Sequence, residues 1–158
     1  MELYKFSIPE ESSGVITENV NKLRAFEDKL RKIFYNEKYI ETLMPTFEYV
    51  ELYKSVYKNL DESTLIKYIN KERKDVALRW DFTVPIARYY ISQKKDEIAR
   101  YCYFGKVYRK EKEHKGKNSE IYQVGIELIG RKAIEGDVEC ISLMKEKKNF
   151  RNYYFKKI

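Results

Sequence analysis

The chain has no apolar run long enough to cross a bilayer, and its first residues, MELYKFSIPEESSG, hold no basic start followed by an apolar block. Neither a transmembrane helix nor a signal peptide is expected, which points to a cytoplasmic protein. There are only two cysteines, Cys102 and Cys140, far apart and without CxxC spacing. This excludes a disulfide framework and fits two reduced thiols in a reducing compartment. The single histidine, His114, lies in the charged run KEKEHKGKN and reads as a solvated loop residue. With so few soft ligands no metal site is expected, and no Ser-His-Asp pattern is present. Glycine and proline are scarce, at six and three residues. No Gly/Ser-rich linker results, no glycines form a GxGxxG or GK[ST] phosphate loop, and no cofactor is expected.

What remains is a charged, aromatic-rich chain. Its 158 residues are 36% charged and 43% hydrophobic, with 15 Tyr and 8 Phe against one Trp. This fits one soluble globular domain, or part of a larger one. The net charge of +7 can attract nucleic acid or anionic ligands. Lysine is nevertheless spread among abundant glutamate until the ending KEKKNFRNYYFKKI, which sets residues 145–158 apart as a basic tail behind a domain at 1–144. A basic RNA-binding module is one reading of this charge. It lacks a run of aromatics interleaved with basic residues, so nucleic acid is not the expected partner.

Apolar residues at Val20, Leu23, Phe26, Leu30, Ile33 and Phe34 recur at helical spacing and predict a helix from Ile16 to Glu37, with Thr17 as N-cap. A short strand over Tyr39–Pro45 and a helix over Phe47–Tyr57 are expected next. Strands follow at Leu65–Asn70 and Val76–Trp80. A helix over Thr83–Gln93 carries Pro85 in its first turn, where proline is tolerated. Long strands at Ile98–Tyr108 and Ser119–Ile129 precede a final helix over Ile134–Lys147. Consecutive strands on short turns point to an α+β fold, an antiparallel sheet with helices on one side.

Polar residues in the last strand pair mark a candidate site. Side chains alternate along a strand. Tyr122, Val124, Ile126 and Leu128 therefore form a core face, while Ile121, Gln123, Gly125, Glu127 and Ile129 share the other. There an amide and a carboxylate flank a glycine, which lets a ligand lie close to the backbone and offers acceptors for an ammonium group. The strand is expected to be buried on both faces. Tyr101, Tyr103, Gly105, Val107 and Arg109 form the matching face of the preceding strand, and the guanidinium of Arg109 suits a carboxylate or phosphate. The segment ALRWDFTVPIARYY adds Arg79, Asp81, Thr83 and Arg88. Asp81 or Thr83 can cap the helix that begins there, or hold a ligand amine opposite Glu127.

These residues resemble the catalytic core of class II aminoacyl-tRNA synthetases, in the histidyl branch. LRWDFTVPIAR looks like the histidine-binding strand, turn and helix of that branch. FGKVYRKEKEHKGKNSEIYQVGIELIG looks like its second signature motif. PTFEYVELY looks like the first, which builds the family's dimer interface. The resemblance runs from about Asn21 to Asp137 and is most specific between Leu78 and Gly130.

The branch holds both histidyl-tRNA synthetases and the regulatory subunits of ATP phosphoribosyltransferase, which resemble synthetases without charging tRNA. Synthetases carry a GRxRxF pattern after the charged loop, whereas this chain has GKNSEI, with Lys117 and Ser119 at the arginine positions. Triphosphate chemistry needs those cations. Arg109, which matches the synthetase's α-phosphate ligand, is kept. VGIELIG and ARYCYFGKVYR also look more like the regulatory subunit. The resemblance thus implies a non-catalytic regulatory subunit for the first step of histidine biosynthesis, with a synthetase fragment as the alternative. It implies a short-form catalytic ATP phosphoribosyltransferase subunit as partner and a homodimer within a hetero-oligomer, formed through the first helix and the strand near Pro45. A histidine-like pocket would comprise Asp81, Thr83, Arg109, Gln123 and Glu127. Both relatives continue with a third signature motif and a second histidine-recognition segment, and nothing after Glu139 resembles either, so a C-terminally truncated, incomplete core is expected.

Overall fold

In the computed structural model, Ser7 and residues 17–94, 97–110 and 118–145 are described. Loop residue His114, Lys117 and all but the first residue of the basic tail lie outside them. Helix α1 spans Thr17–Asn36 and is followed by the short strand β1, Ile40–Glu41. Strand β2, Phe47–Tyr49, leads directly into helix α2, Val50–Val56. Strands β3, Lys67–Ile69, and β4, Asp75–Leu78, precede helix α3, Thr83–Ser92. The long strands β5, Ala99–Tyr108, and β6, Glu120–Ile129, are followed by helix α4, Ala133–Lys145.

The α+β architecture is as expected, and several details differ. The strands form two sheets, ordered β1-β5-β6 and β2-β4-β3. The second is antiparallel throughout, but in the first β1 joins β5 in parallel. The predicted helix at Phe47 starts only at Val50, because Phe47–Tyr49 pairs with Val76–Leu78. A three-residue strand is invisible to periodicity, since alternation needs more residues to declare itself.

Helices also cover both faces of the first sheet rather than one. On one face Phe26, Leu30 and Phe34 of α1 and Leu143 of α4 enclose Cys102 and Phe104 of β5, with Val124 and Ile126 of β6 packed alongside. Cys102 is fully buried, and burial pushes its thiol up to about 12. On the other face Phe82 and Ile86 pack on Tyr103 and Val107, with Tyr101, Ile121 and Ile129 beside them. The alternation read from sequence is therefore correct for both strands. Burial of β6 is not as expected: its residues are half-buried or exposed. Among the described residues it pairs with β5 along one side only.

Arg79 joins the two sheets. Its N–H donates to the carbonyl of Thr46 and its carbonyl accepts from Tyr108, both at 2.8 Å. Arg79 is 7% exposed, and its guanidinium donates to the carbonyls of Met44 (2.7 Å), Pro45 (2.8 Å) and Lys106 (2.7 and 3.1 Å) and lies over the Phe82 ring. Its role is to tie backbone together.

Candidate functional site

The β5–β6 register sets the floor of the site. Tyr103 faces Gly125, Gly105 faces Gln123, and Tyr101 faces Glu127. Paired residues project to the same side of an antiparallel sheet, here the side covered by α3. The expectation that Gly125 leaves space for a ligand is corrected. A Cβ there would lie 2.3 Å from the Tyr103 hydroxyl oxygen, because the Tyr103 ring folds across the glycine. Gly105 is likewise covered, with a would-be Cβ 2.9 Å from the Phe82 ring. The two rings stack with centroids 4.1 Å apart. The chain's own aromatics fill the strip above the glycines, as cross-strand rings often do where a glycine leaves a gap.

Around this stacked pair the polar residues converge. Thr83, in the first turn of α3, donates its hydroxyl to Glu127 Oε1 at 2.8 Å. Asp81 is 2% exposed, and its Oδ1 accepts the Val84 N–H at 3.1 Å, capping α3. Of the two roles expected for this segment the structure shows the capping one, at Asp81, while Thr83 bonds the carboxylate across the site. Oδ2 of Asp81 accepts the hydroxyl of Tyr57 at 2.6 Å. Burial raises the Glu127 carboxyl above its ordinary range, the Thr83 hydrogen bond opposes this, and the charge of Asp81 adds to it. The Tyr103 phenol is pushed up by burial first and then by Glu127 and Asp81, while Arg109 pulls it down.

Asp81 and Glu127 have no ion-pair partner among the described residues. Arg109, just past β5, uses its Nε to bond the Trp80 carbonyl at 3.0 Å and lays its guanidinium over the Trp80 ring, 4.6 Å from the centroid. Gln123 lies on the same sheet face, and its Oε1 is buried without a hydrogen-bond partner, as is Trp80 Nε1. An unmet buried acceptor and donor are costly unless something else meets them. Arg88 does not join the site; it pairs with Glu48 at 2.9 Å.

Four contributors were not foreseen as site residues: Tyr57, Trp80, Phe82 and Tyr103. An aromatic opposite a glycine across paired strands is a signal that points to Tyr103 once the register is known. Tyr57 carries no local signal, since it follows α2 and meets Asp81 only through the packing of α2 beside α3.

Known proteins share this fold. A regulatory subunit of ATP phosphoribosyltransferase from Lactococcus lactis subsp. cremoris is 45% identical over 143 residues, which is 90% of this chain and 45% of that protein. One from Clostridium kluyveri is 35% identical over 136 residues, covering 85% of this chain and 35% of that one. A Bacillus halodurans structure described as an ATP phosphoribosyltransferase regulatory subunit/histidyl-tRNA synthetase superposes with a TM-score of 0.78 at 31% identity, covering 89% of this chain and 37% of its own. The apo histidyl-tRNA synthetase of Staphylococcus aureus shares the fold, with a TM-score of 0.74 at 21% identity over 89% of this chain and 33% of its own. This chain therefore spans less than half the length of these relatives. The family model described as histidyl-tRNA synthetase matches residues 13–150, and the chain belongs to that family.

Proposed function

We propose that the chain serves as a non-catalytic regulatory subunit of ATP phosphoribosyltransferase, or as the amino-terminal part of one, acting in the first step of histidine biosynthesis. The observation that carries this reading is the 45% identity over 143 residues to a protein of that name. The sequence GKNSEI supports it, with Lys117 and Ser119 where the synthetase pattern has arginines. Fewer cations in that stretch leave less to neutralise a triphosphate. The partner would be a short-form catalytic phosphoribosyltransferase subunit, in a cytoplasmic complex.

The site fits an amino acid, with histidine as its candidate. Two carboxylates, Asp81 and Glu127, suit an ammonium group, and Arg109 at the rim suits a carboxylate. Gln123 adds an unmet acceptor and Trp80 an unmet donor for the ligand's side chain. The dimer belongs to the same reading. Phe47 and Tyr68 meet edge to face at 5.8 Å and are 52% and 50% exposed, beside an open hollow of about 510 Å³ lined also by Pro45, Leu52 and Val76.

Co-expression with a short-form catalytic subunit tests the assignment. A stable complex on gel filtration, with no histidine-dependent ATP–pyrophosphate exchange, is expected. Failure of the folded chain to associate overturns the partner, and appreciable exchange moves the assignment to the synthetase.

A further inference from the structure

We infer that Tyr57 is a latch on the amino-acid pocket, holding the one Asp81 oxygen that an incoming ammonium group can use. The inference deepens the pocket reading given above and rests on it.

Asp81 has two oxygens and both are taken. Oδ1 accepts the Val84 N–H at 3.1 Å. That donor belongs to the first turn of α3, whose residues Val84, Pro85 and Ile86 are buried, so it is fixed by the core. Oδ2 accepts the Tyr57 hydroxyl at 2.6 Å. This second donor is a side chain, half-buried, on the residue that caps the C-terminus of α2. The backbone of Tyr57 is held independently: its N–H donates to the Tyr53 carbonyl at 2.8 Å and its carbonyl accepts from Leu60 at 3.1 Å. Rotation of the side chain therefore frees Oδ2 without disturbing either backbone bond. Its ring rests edge-on against Trp80, centroids 5.5 Å apart, a contact that rotation gives up at modest cost.

The exchange has a chemical direction. A neutral phenol is the weaker of two donors competing for a carboxylate oxygen, because an ammonium hydrogen bond is charge-assisted on both sides. A protonated amine therefore displaces Tyr57, whereas a ligand with a hydroxyl in place of the amine gains nothing over the phenol it must expel. The latch keeps Asp81 satisfied when the pocket is empty and makes entry selective for the ammonium form. Tyr57 acts here through Asp81, as a positioning residue.

Calorimetry of the 158-residue chain with L-histidine and with its α-hydroxy analogue, imidazole lactate, tests the latch. Tyr57→Phe removes the competing donor and is expected to bind L-histidine roughly 2- to 10-fold more tightly than the unsubstituted chain, the equivalent of one ordinary hydrogen bond. A merely structural tyrosine would give the opposite sign. Binding by the variant alone also supports the latch, held shut in the parent chain. Equal or weaker binding by the variant, or equal binding of the hydroxy analogue by the parent, overturns the latch and leaves the pocket standing. Silence from both chains overturns the pocket and the latch together. Should Tyr57→Phe fail to fold, ring-labelled tyrosine NMR of the unsubstituted chain decides the matter: bound L-histidine shifts the Tyr57 resonance, and binding that leaves it unmoved overturns the latch.

Discussion

At the scale of single residues, the two glycines of the strand pair explain how the site is filled. Gly125 has no side chain because Tyr103 needs its space, and Gly105 yields to Phe82. A methyl group on Gly125 has no route except to push the Tyr103 ring off its stack with Phe82. Gly125→Ala is expected to cost about 1–3 kcal/mol, read as a lower urea midpoint at unchanged slope. Gly105→Ala should cost less, since its nearest neighbour is one ring atom at 2.9 Å. Glu127 gives a pH signature. Its carboxyl is raised by burial above its ordinary 4.5. A raised acid favours the folded state in its protonated form, so its contribution is fully present below about 4.5 and lost as pH rises through the folded value. Glu127→Gln is therefore expected to raise the unfolding midpoint at neutral pH, with the gain vanishing in acid.

At the scale of elements, ionic groups decide how helices dock on the sheet. Glu27 of α1 is fully buried, yet it accepts from Arg24 at 2.7 Å, lies 3.5 Å from Arg31, and receives the hydroxyl of Tyr122 from β6. A buried carboxylate is tolerated when its oxygens are met in this way. Helix α4 is clamped by Glu139, which takes both oxygens to Arg100 of β5 at 2.6 and 2.9 Å and accepts the Tyr39 hydroxyl at 3.2 Å. Arg100 first, with Tyr39 assisting and burial opposing, holds this carboxyl below its ordinary 4.5. The stability it contributes is present above about 4.5 and lost as pH falls through the depressed value. Glu139→Gln is expected to cost about 1 kcal/mol at neutral pH, since the pair is near the surface. Hydrogen exchange should show the loss as faster opening of α4 against an unchanged α1.

At the scale of the whole molecule, the small sheet presents a cluster of uncovered aromatics on one face: Phe47, Tyr49 and Tyr68 are each about half exposed. Apolar surface of this kind, rimmed by charge, marks an interaction face. If copies of the chain pair there, Phe47→Asp buries a charge in the contact and should shift the mass measured by light scattering from dimer to monomer, leaving the circular dichroism unchanged. A monomeric parent chain removes this face from the proposed dimer.

The sequence by itself determined the first helix and the two long strands, because their apolar periods run long enough to be unambiguous: Phe26, Leu30 and Phe34 on one helix face, and the alternating sets of β5 and β6. It also determined which face of the strand pair carries Gln123, Glu127 and Arg109, since alternation fixes the face without knowledge of the neighbours. Only the tertiary structure decided what stands on that face. Register brings Tyr103 across Gly125, the packing of α2 beside α3 brings Tyr57 to Asp81, and Arg79 spends its guanidinium on carbonyls distant in the chain. These are contacts between residues far apart in the chain. Local propensity encodes the shape of a segment, while the partner that segment meets depends on how all the segments close into one packed core.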